Sequence, residues 1–265
     1  MHDVVDARAG RTPEAARWLA GDSRQRADGA RVRLFCFAHA GGGAAFFRRW
    51  RAALAPAVDV RPVLLPGRES RLDEAPYRRI EPLLDPLCAA LEPHLDRPYA
   101  LFGHSLGSVI AYEVARRLSD GGRPGPDCLI VSGRQAPRAT STRRTLWTLP
   151  DDEFVAAVGR MGGTPPEVFE HPDLLTMVLP ALRADFELSE TYRPLPGGRL
   201  TCAIAAYLGV DDPEVDRAGL LRWHEETTGE FTTRLFAGDH FYLAGGRPEV
   251  LSAVREDLDR ARHPR

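Results

Sequence analysis

From Val32 onward, short apolar runs alternate with segments whose apolar positions recur at helical spacing. Residues 32–38, 60–65, 99–102, 128–132, 200–207 and 232–236 are bounded by turn-forming residues and read as strands. Between them lie helical patterns. Residues 44–54 place Phe46, Phe47, Trp50 and Leu54 on an apolar face, and residues 74–92 are helical in parts, with Pro82 and Pro86 marking starts or kinks. After residue 102 a third pattern has a small face of Gly107, Ala111 and Ala115 beside an apolar row of Ile110, Val114 and Leu118. A closing helix is predicted over 248–261. Strands alternating with helices imply an α/β fold, with a mostly parallel sheet covered by helices on both faces.

Two stretches depart from this rhythm. Residues 1–29 are rich in Ala, Arg, Asp and Gly, with Trp18 and Leu19 as the strong apolar pair, and are expected to form a loose N-terminal arm. Residues 30–265 then form a single domain. Residues 134–199 are far longer than a crossover between strands needs. They carry helical patterns of their own at 152–161, 172–177 and 180–191, broken by Gly162-Gly163-Thr164-Pro165-Pro166 and by Pro194. A helical insertion beside the strand ends reads as a lid. The competing reading is a packed subdomain with no gating role.

Composition narrows the function classes. The chain is 43% hydrophobic and 27% charged with a net charge of −2, so nothing points to nucleic acid or an anionic membrane. No apolar stretch approaches the roughly 20 residues of a membrane span. The N-terminal segment lacks a basic region followed by an apolar one, which makes the cytoplasm the expected location. Cys36, Cys88, Cys128 and Cys202 form no Cys-x-x-Cys pair and read as reduced core residues; the eight histidines show no metal-ligand spacing. All 35 basic residues are arginine, so a basic surface would bind carboxylate or phosphate through planar forks.

The chemistry enters at Gly103-His104-Ser105-Leu106-Gly107, set between a predicted strand and a predicted helix. Gly-x-Ser-x-Gly in that setting is a nucleophile elbow of the α/β-hydrolase kind, a turn so tight that it presents the serine hydroxyl at the end of the sheet. A serine needs a base, and the base an orienting acid, in the chain order Ser, acid, His. His240, just after the last strand, is the base in that order. Asp211 and Asp212, in the turn after the strand at 200–207, are equally placed to orient it. The developing oxyanion needs two backbone donors: Leu106 N–H, after the nucleophile, and Ala40 N–H, in the glycine-rich loop His39-Ala40-Gly41-Gly42-Gly43 after the first strand.

Together these segments resemble the type II thioesterases of polyketide and nonribosomal peptide pathways. The likeness rests on residues 37–43, on Leu65-Pro66-Gly67-Arg68-Glu69-Ser70-Arg71, on the elbow, and on Leu149-Pro150-Asp151-Asp152-Glu153-Phe154 with Gly162-Gly163-Thr164-Pro165. It is completed by Pro180-Ala181-Leu182-Arg183-Ala184-Asp185-Phe186 and Gly238-Asp239-His240-Phe241-Tyr242-Leu243. The family pattern Gly-x-x-Asp-Pro fits Gly209, Asp212 and Pro213, which selects Asp212 over Asp211. Two positions depart from it: Ala38, where proline is usual, and Leu106, where methionine is frequent. Neither supplies a catalytic side chain.

The resemblance implies a Ser105–His240–Asp212 hydrolase, acting as a monomer without cofactor or metal. It would remove stalled acyl groups from the phosphopantetheine arm of acyl or peptidyl carrier proteins. Carrier domains are generally acidic. Arg48, Arg49 and Arg51, then Arg68 and Arg71, then Arg143 and Arg144 are candidate docking groups, against the simpler reading that they solvate the surface. Leu174, Leu175, Met177, Val178 and Phe186 are candidates for an acyl pocket or for the insertion's own core. A general carboxylesterase, a cyclising thioesterase and an idle carrier-binding homologue are the rival readings.

Overall fold

The computed structural model describes residues 17–20, 29–139 and 145–263. Strands β1 (Val32–Phe37), β2 (Val58–Pro62), β3 (Tyr99–His104), β4 (Cys128–Ser132), β5 (Ala203–Gly209) and β6 (Phe231–Phe236) form one parallel sheet. Their order is β2-β1-β3-β4-β5-β6.

Alternate residues of a strand face opposite sides of a sheet, and here both sets are apolar. Phe35, Leu101, Leu129, Val131 and Ile204 enter one core, covered by helices α2 (Ile80–Leu91) and α3 (Leu106–Asp120). Leu34, Cys36, Phe102, Ile130 and Tyr207 enter the other, covered by α1 (Arg48–Leu54) and the closing helix α8 (Pro248–Arg262). β1, β3 and β4 are accordingly buried along their whole length, while β6, at the edge, is half exposed. All four cysteines are free; Cys36, Cys88 and Cys128 are buried and Cys202 partly so.

The chain steps outward from β1 to β2 and then returns to β3 on the other side of β1. The loops leaving β1 and β3 therefore diverge from adjacent strand ends. In open α/β sheets, ligands bind at such a switch point.

Helices α4 (Asp151–Met161), α5 (Pro166–Glu170) and α6 (Pro172–Thr191) make up the insertion between β4 and β5, and the short helix α7 (Arg217–Leu221) follows β5. Two helices were expected where α6 runs unbroken through Pro180. A proline within a helix forfeits one N–H and crowds the preceding turn. Burial of Ala181, Leu182, Ala184, Phe186 and Leu188 just beyond it holds the helix continuous. α5 also forms where the sequence showed only breakers; Pro165 and Pro166 are tolerated because they stand at its start. Phe154, Val158, Leu182 and Phe186 form a small core inside the insertion, against which Ala40 packs.

The arm expectation needs a correction at residues 17–20. Trp18 is 3% and Leu19 8% exposed, so both belong to the core. Val63 still donates to the Cys36 carbonyl of β1, but Leu64 N–H turns to the Trp18 carbonyl at 2.8 Å and Ala20 N–H meets the Pro62 carbonyl at 3.0 Å. This backbone pairing captures Trp18 and Leu19 and ends β2 earlier than the apolar run suggested. Residues 1–16 and 21–28 of the predicted arm lie outside the described residues.

Candidate active site

Ser105 sits between β3 and α3 with φ 54° and ψ −114°, a conformation that costs a non-glycine residue about 1–3 kcal/mol. The surroundings impose it. Ser105 N–H donates to the Ser132 carbonyl at 2.8 Å, and Ser108 Oγ donates to the Gly103 carbonyl, also at 2.8 Å. A Cβ on Gly107 would stand 2.1 Å from the Phe37 carbonyl oxygen, and one on Gly103 2.2 Å from the Gly107 carbonyl oxygen. The two glycines thus let β1, β3 and α3 close around the turn.

The loops after β5 and β6 are stitched together by Val210 N–H to the Phe236 carbonyl at 2.9 Å and Asp211 N–H to the Gly238 carbonyl at 3.0 Å. That pairing brings Asp212 to His240. Asp212 Oδ2 accepts from His240 Nδ1 at 2.8 Å, and its other oxygen accepts Glu214 N–H at 2.7 Å. The Asp212 side chain is fully buried and that of His240 nearly so, whereas Asp211 is exposed. With Nδ1–H committed to the carboxylate, Nε2 is the nitrogen left to accept a proton. The His240 ring lies 5.0 Å, centroid to centroid, from that of His104, the residue before the serine. Among the described residues no hydrogen bond joins the Ser105 hydroxyl to His240. Contacts of this kind often tighten only around substrate.

Leu106 opens α3, so its N–H is one of those without an intrahelical acceptor. In the loop after β1, Gly42 N–H is taken by the His39 carbonyl at 2.9 Å and Gly41 N–H by Asp185 Oδ2 at 2.7 Å. Ala40, partly buried, stands between His39 and Gly41, the residues that supply the carbonyl and the N–H of these two bonds.

Several neighbours of the site were not expected. His104, the residue before the nucleophile, is fully buried within the site. Its Nδ1 lies 2.9 Å from Ser132 Oγ, which is 2.6 Å from the Tyr242 hydroxyl. Burial, reinforced by His240 and His39, holds the His104 imidazole neutral, its pKa well below the ordinary value. His39 is wedged between Phe46 and Phe241, each 4.9 Å away, and burial pushes its pKa down to about 4. Gly162 and Gly163 of the insertion lie against the Phe241 ring. Arg68 and Asp185 form a buried ion pair behind the loop after β1. The only sequence signal for that pair was that each falls in a segment carrying the family resemblance; nothing in the spacing joined them.

That pair also corrects the docking assignment. Arg68 is 8% and Arg71 5% exposed, so neither presents a surface charge. Arg71 donates to the Leu64 carbonyl and to Glu74, and its guanidinium lies 4.2 Å over the Trp18 ring. Both arginines are satisfied internally. Arg48 and Arg49 are exposed and Arg51 is half-buried; Arg143 and Arg144 lie outside the described residues. Of the candidate pocket residues, Phe186 packs edge-on to Phe154 at 5.3 Å, while Leu174 and Met177 are exposed.

The chain is 40% identical over 250 residues to the probable cadicidin biosynthesis thioesterase of Streptomyces griseus, covering 94% of this chain and 67% of that protein. It is 36% identical to linear gramicidin dehydrogenase LgrE of Brevibacillus parabrevis, over 92% of this chain and 93% of that protein. The structure of BorB, the type II thioesterase of the borrelidin biosynthetic cluster, superposes with a TM-score of 0.81 at 40% identity, covering 91% of this chain and 98% of that one. No helix among the described residues is long and apolar enough to cross a membrane. The thioesterase domain model matches residues 32–258, spanning the elbow, the Asp212–His240 pair and the insertion, and the chain belongs to that family of α/β-hydrolase thioester hydrolases.

Proposed function

We propose that this enzyme is a type II thioesterase that clears acyl groups from the phosphopantetheine thiol of carrier proteins in polyketide or nonribosomal peptide synthesis. The observation that carries the reading is the buried Asp212–His240 hydrogen bond beside a serine held in a strained elbow. Its similarity to BorB adds the pathway class.

In this mechanism His240 Nε2 takes the Ser105 proton as Oγ attacks the thioester carbonyl. Ala40 and Leu106 N–H groups receive the oxyanion, each worth on the order of 3 kcal/mol in the transition state. Collapse breaks the C–S bond, and the thiolate leaves with the proton carried by His240. A water then gives a proton to His240 and attacks the acyl-serine; as the second tetrahedral adduct collapses, His240 returns that proton to Ser105 Oγ and the carboxylic acid leaves. Asp212 holds the imidazole in the required tautomer and stabilises its cationic form. A thioester is already activated, so the enzyme needs no cofactor of its own; the phosphopantetheine arrives with the carrier. The reading places the enzyme in the cytoplasm as a monomer that meets its carriers transiently. Arg48 and Arg49, which flank the loop after β1, are the exposed cations best placed to meet an acidic carrier.

The test is intact-protein mass spectrometry of a carrier loaded with short acyl groups, with Ser105→Ala alongside. Loss of the acyl mass with the wild type alone, yielding free acid without added reductant, is the expected result. An inert carrier together with rapid cleavage of simple esters would move the activity to a general esterase. Release that requires an added redox cofactor would align the chain with the dehydrogenase activity named for the Brevibacillus relative.

A further inference from the structure

We infer that Asp185 and Arg68 are a positioning pair for the oxyanion loop, through which helix α6 of the insertion sets the geometry of transition-state stabilisation. The inference rests on the reading of Ala40 N–H as an oxyanion donor and extends it to residues outside the reacting groups.

Asp185 lies on the buried face of α6, 2% exposed. Its Oδ2 accepts Gly41 N–H at 2.7 Å and Arg68 Nη1 at 2.7 Å, and its Oδ1 accepts Arg68 Nη2 at 2.8 Å. Arg68 Nη1 also donates to the Gly42 carbonyl at 3.0 Å. One ion pair therefore grips both an N–H and a C=O of the two residues that follow Ala40. The peptide joining Ala40 to Gly41 is a rigid plane, so fixing its N–H fixes the exit direction of the chain at Ala40. The same face of α6 presses Leu182, one turn earlier, onto Gly41: a Cβ there would stand 2.6 Å from Leu182 Cδ1. Loop and helix cannot shift independently while these contacts hold.

The chemistry of the pair supports positioning over simple bracing. A buried ion pair is often no more stabilising than apolar residues of the same volume, because both charges lose their hydration. Apolar residues could fill this gap, but they could not direct a peptide N–H and a carbonyl. A two-armed guanidinium–carboxylate contact is directional and short. Burial works against the Arg68 charge, yet the Asp185 carboxylate more than offsets it and holds the guanidinium pKa above its ordinary value.

The test compares wild type, Asp185→Asn and Arg68→Lys in the full chain, each checked for an unchanged fold by circular dichroism and thermal melting. For hydrolysis of an acylated carrier, kcat is expected to fall roughly ten- to hundredfold in each variant, with KM within about threefold, as for partial loss of a donor that acts in the transition state. An alkyl boronic acid, which forms a tetrahedral adduct on the serine, should lose affinity in step with kcat. A non-hydrolysable thioether analogue of the substrate should bind as before. The double variant should lose less than the product of the single losses, because the two side chains form one unit. A folded Asp185→Asn enzyme with kcat within twofold of wild type, or with unchanged boronate affinity, overturns the inference. If Asp185→Asn does not fold, Arg68→Lys carries the same readings, since it keeps the charge and removes only the fork. Absence of Ser105-dependent hydrolysis in the wild type would instead refute the functional reading on which the pair's role rests.

Discussion

His240 Nδ1 stands 2.8 Å from Asp212 Oδ2, and it is the second of two adjacent aspartates that makes this contact. The β5–β6 loop pairing uses the backbone of Asp211 and leaves its side chain in solvent, while it turns the Asp212 carboxylate inward. Asp212→Asn should therefore lower kcat by about 10⁴, through the wrong imidazole tautomer and an unstabilised imidazolium. Asp211→Asn should stay within a few-fold of wild type. Steady-state kinetics of both variants on one acylated carrier decides the matter; equal losses would sink the assignment.

Ser105→Ala should remove turnover, with a loss on the order of a millionfold, the scale seen when a serine hydrolase loses its nucleophile. The fold should persist, because Ser105 is held through its backbone N–H and by neighbours that the substitution leaves in place. A fluorophosphonate probe that labels the wild type and not the variant would assign the reactive hydroxyl. Labelling of both would place the nucleophile elsewhere.

Trp18 packs over Arg71 and lies 6.2 Å from Tyr77, so its loss should be felt as a core substitution although it lies near the N-terminus. Trp18→Ala is expected to cost about 3–5 kcal/mol of stability, with little change in KM or kcat below the melting transition. Urea denaturation of the two proteins measures it. A midpoint unchanged from wild type would return Trp18 to the arm.

The sheet was legible because apolar runs flanked by turn residues are what parallel strands buried on both faces require, and β1, β3 and β4 meet that condition along their length. The elbow was legible for a local reason: a five-residue steric motif needs only its flanking strand and helix. The rest depended on contacts between residues far apart in sequence. Trp18 is captured by the chain after β2, Pro180 is carried through a helix by burial on its C-terminal side, and Arg68 meets Asp185 across 117 positions. Periodicity reports which face of an element is apolar. It does not report which buried charges find each other, and so Arg68 read as a surface cation.

Gly107→Ala tests the elbow from its underside. The added Cβ would stand 2.1 Å from the Phe37 carbonyl oxygen, a backbone atom of β1 that cannot swing aside. Overpacking of this kind should cost about 3 kcal/mol or more and misplace the serine. Low soluble yield, or a folded protein with much reduced fluorophosphonate labelling, is the expected result. A variant with wild-type melting and labelling would show that β1 and α3 have room to separate.

His39 gives the stability of the protein an acid limb with a definite sign. Burial lowers its pKa in the fold to about 4, opposed by the contact of Nε2 with the Gly163 carbonyl and assisted by His240 and Arg68; Asp185 works in the other direction. In the unfolded chain the ring titrates near 6.5. Between these values the unfolded state binds the proton and the folded state does not, so stability falls as pH drops. The contribution is fully present above about pH 6.5 and lost by about pH 4, a span worth about 3 kcal/mol, of which about 2 kcal/mol is gone by pH 5. His104, buried beside it and also neutral, shifts stability in the same direction. Urea unfolding at pH 7 and pH 5 for the wild type and for His39→Phe reads the His39 part together with its smaller influence on His104, the remaining titrating groups being common to both. The phenylalanine variant should lose about 2 kcal/mol less over that interval. Equal losses in the two proteins would mean that His39 is solvated, and that the aromatic enclosure by Phe46 and Phe241 does not keep water from its ring.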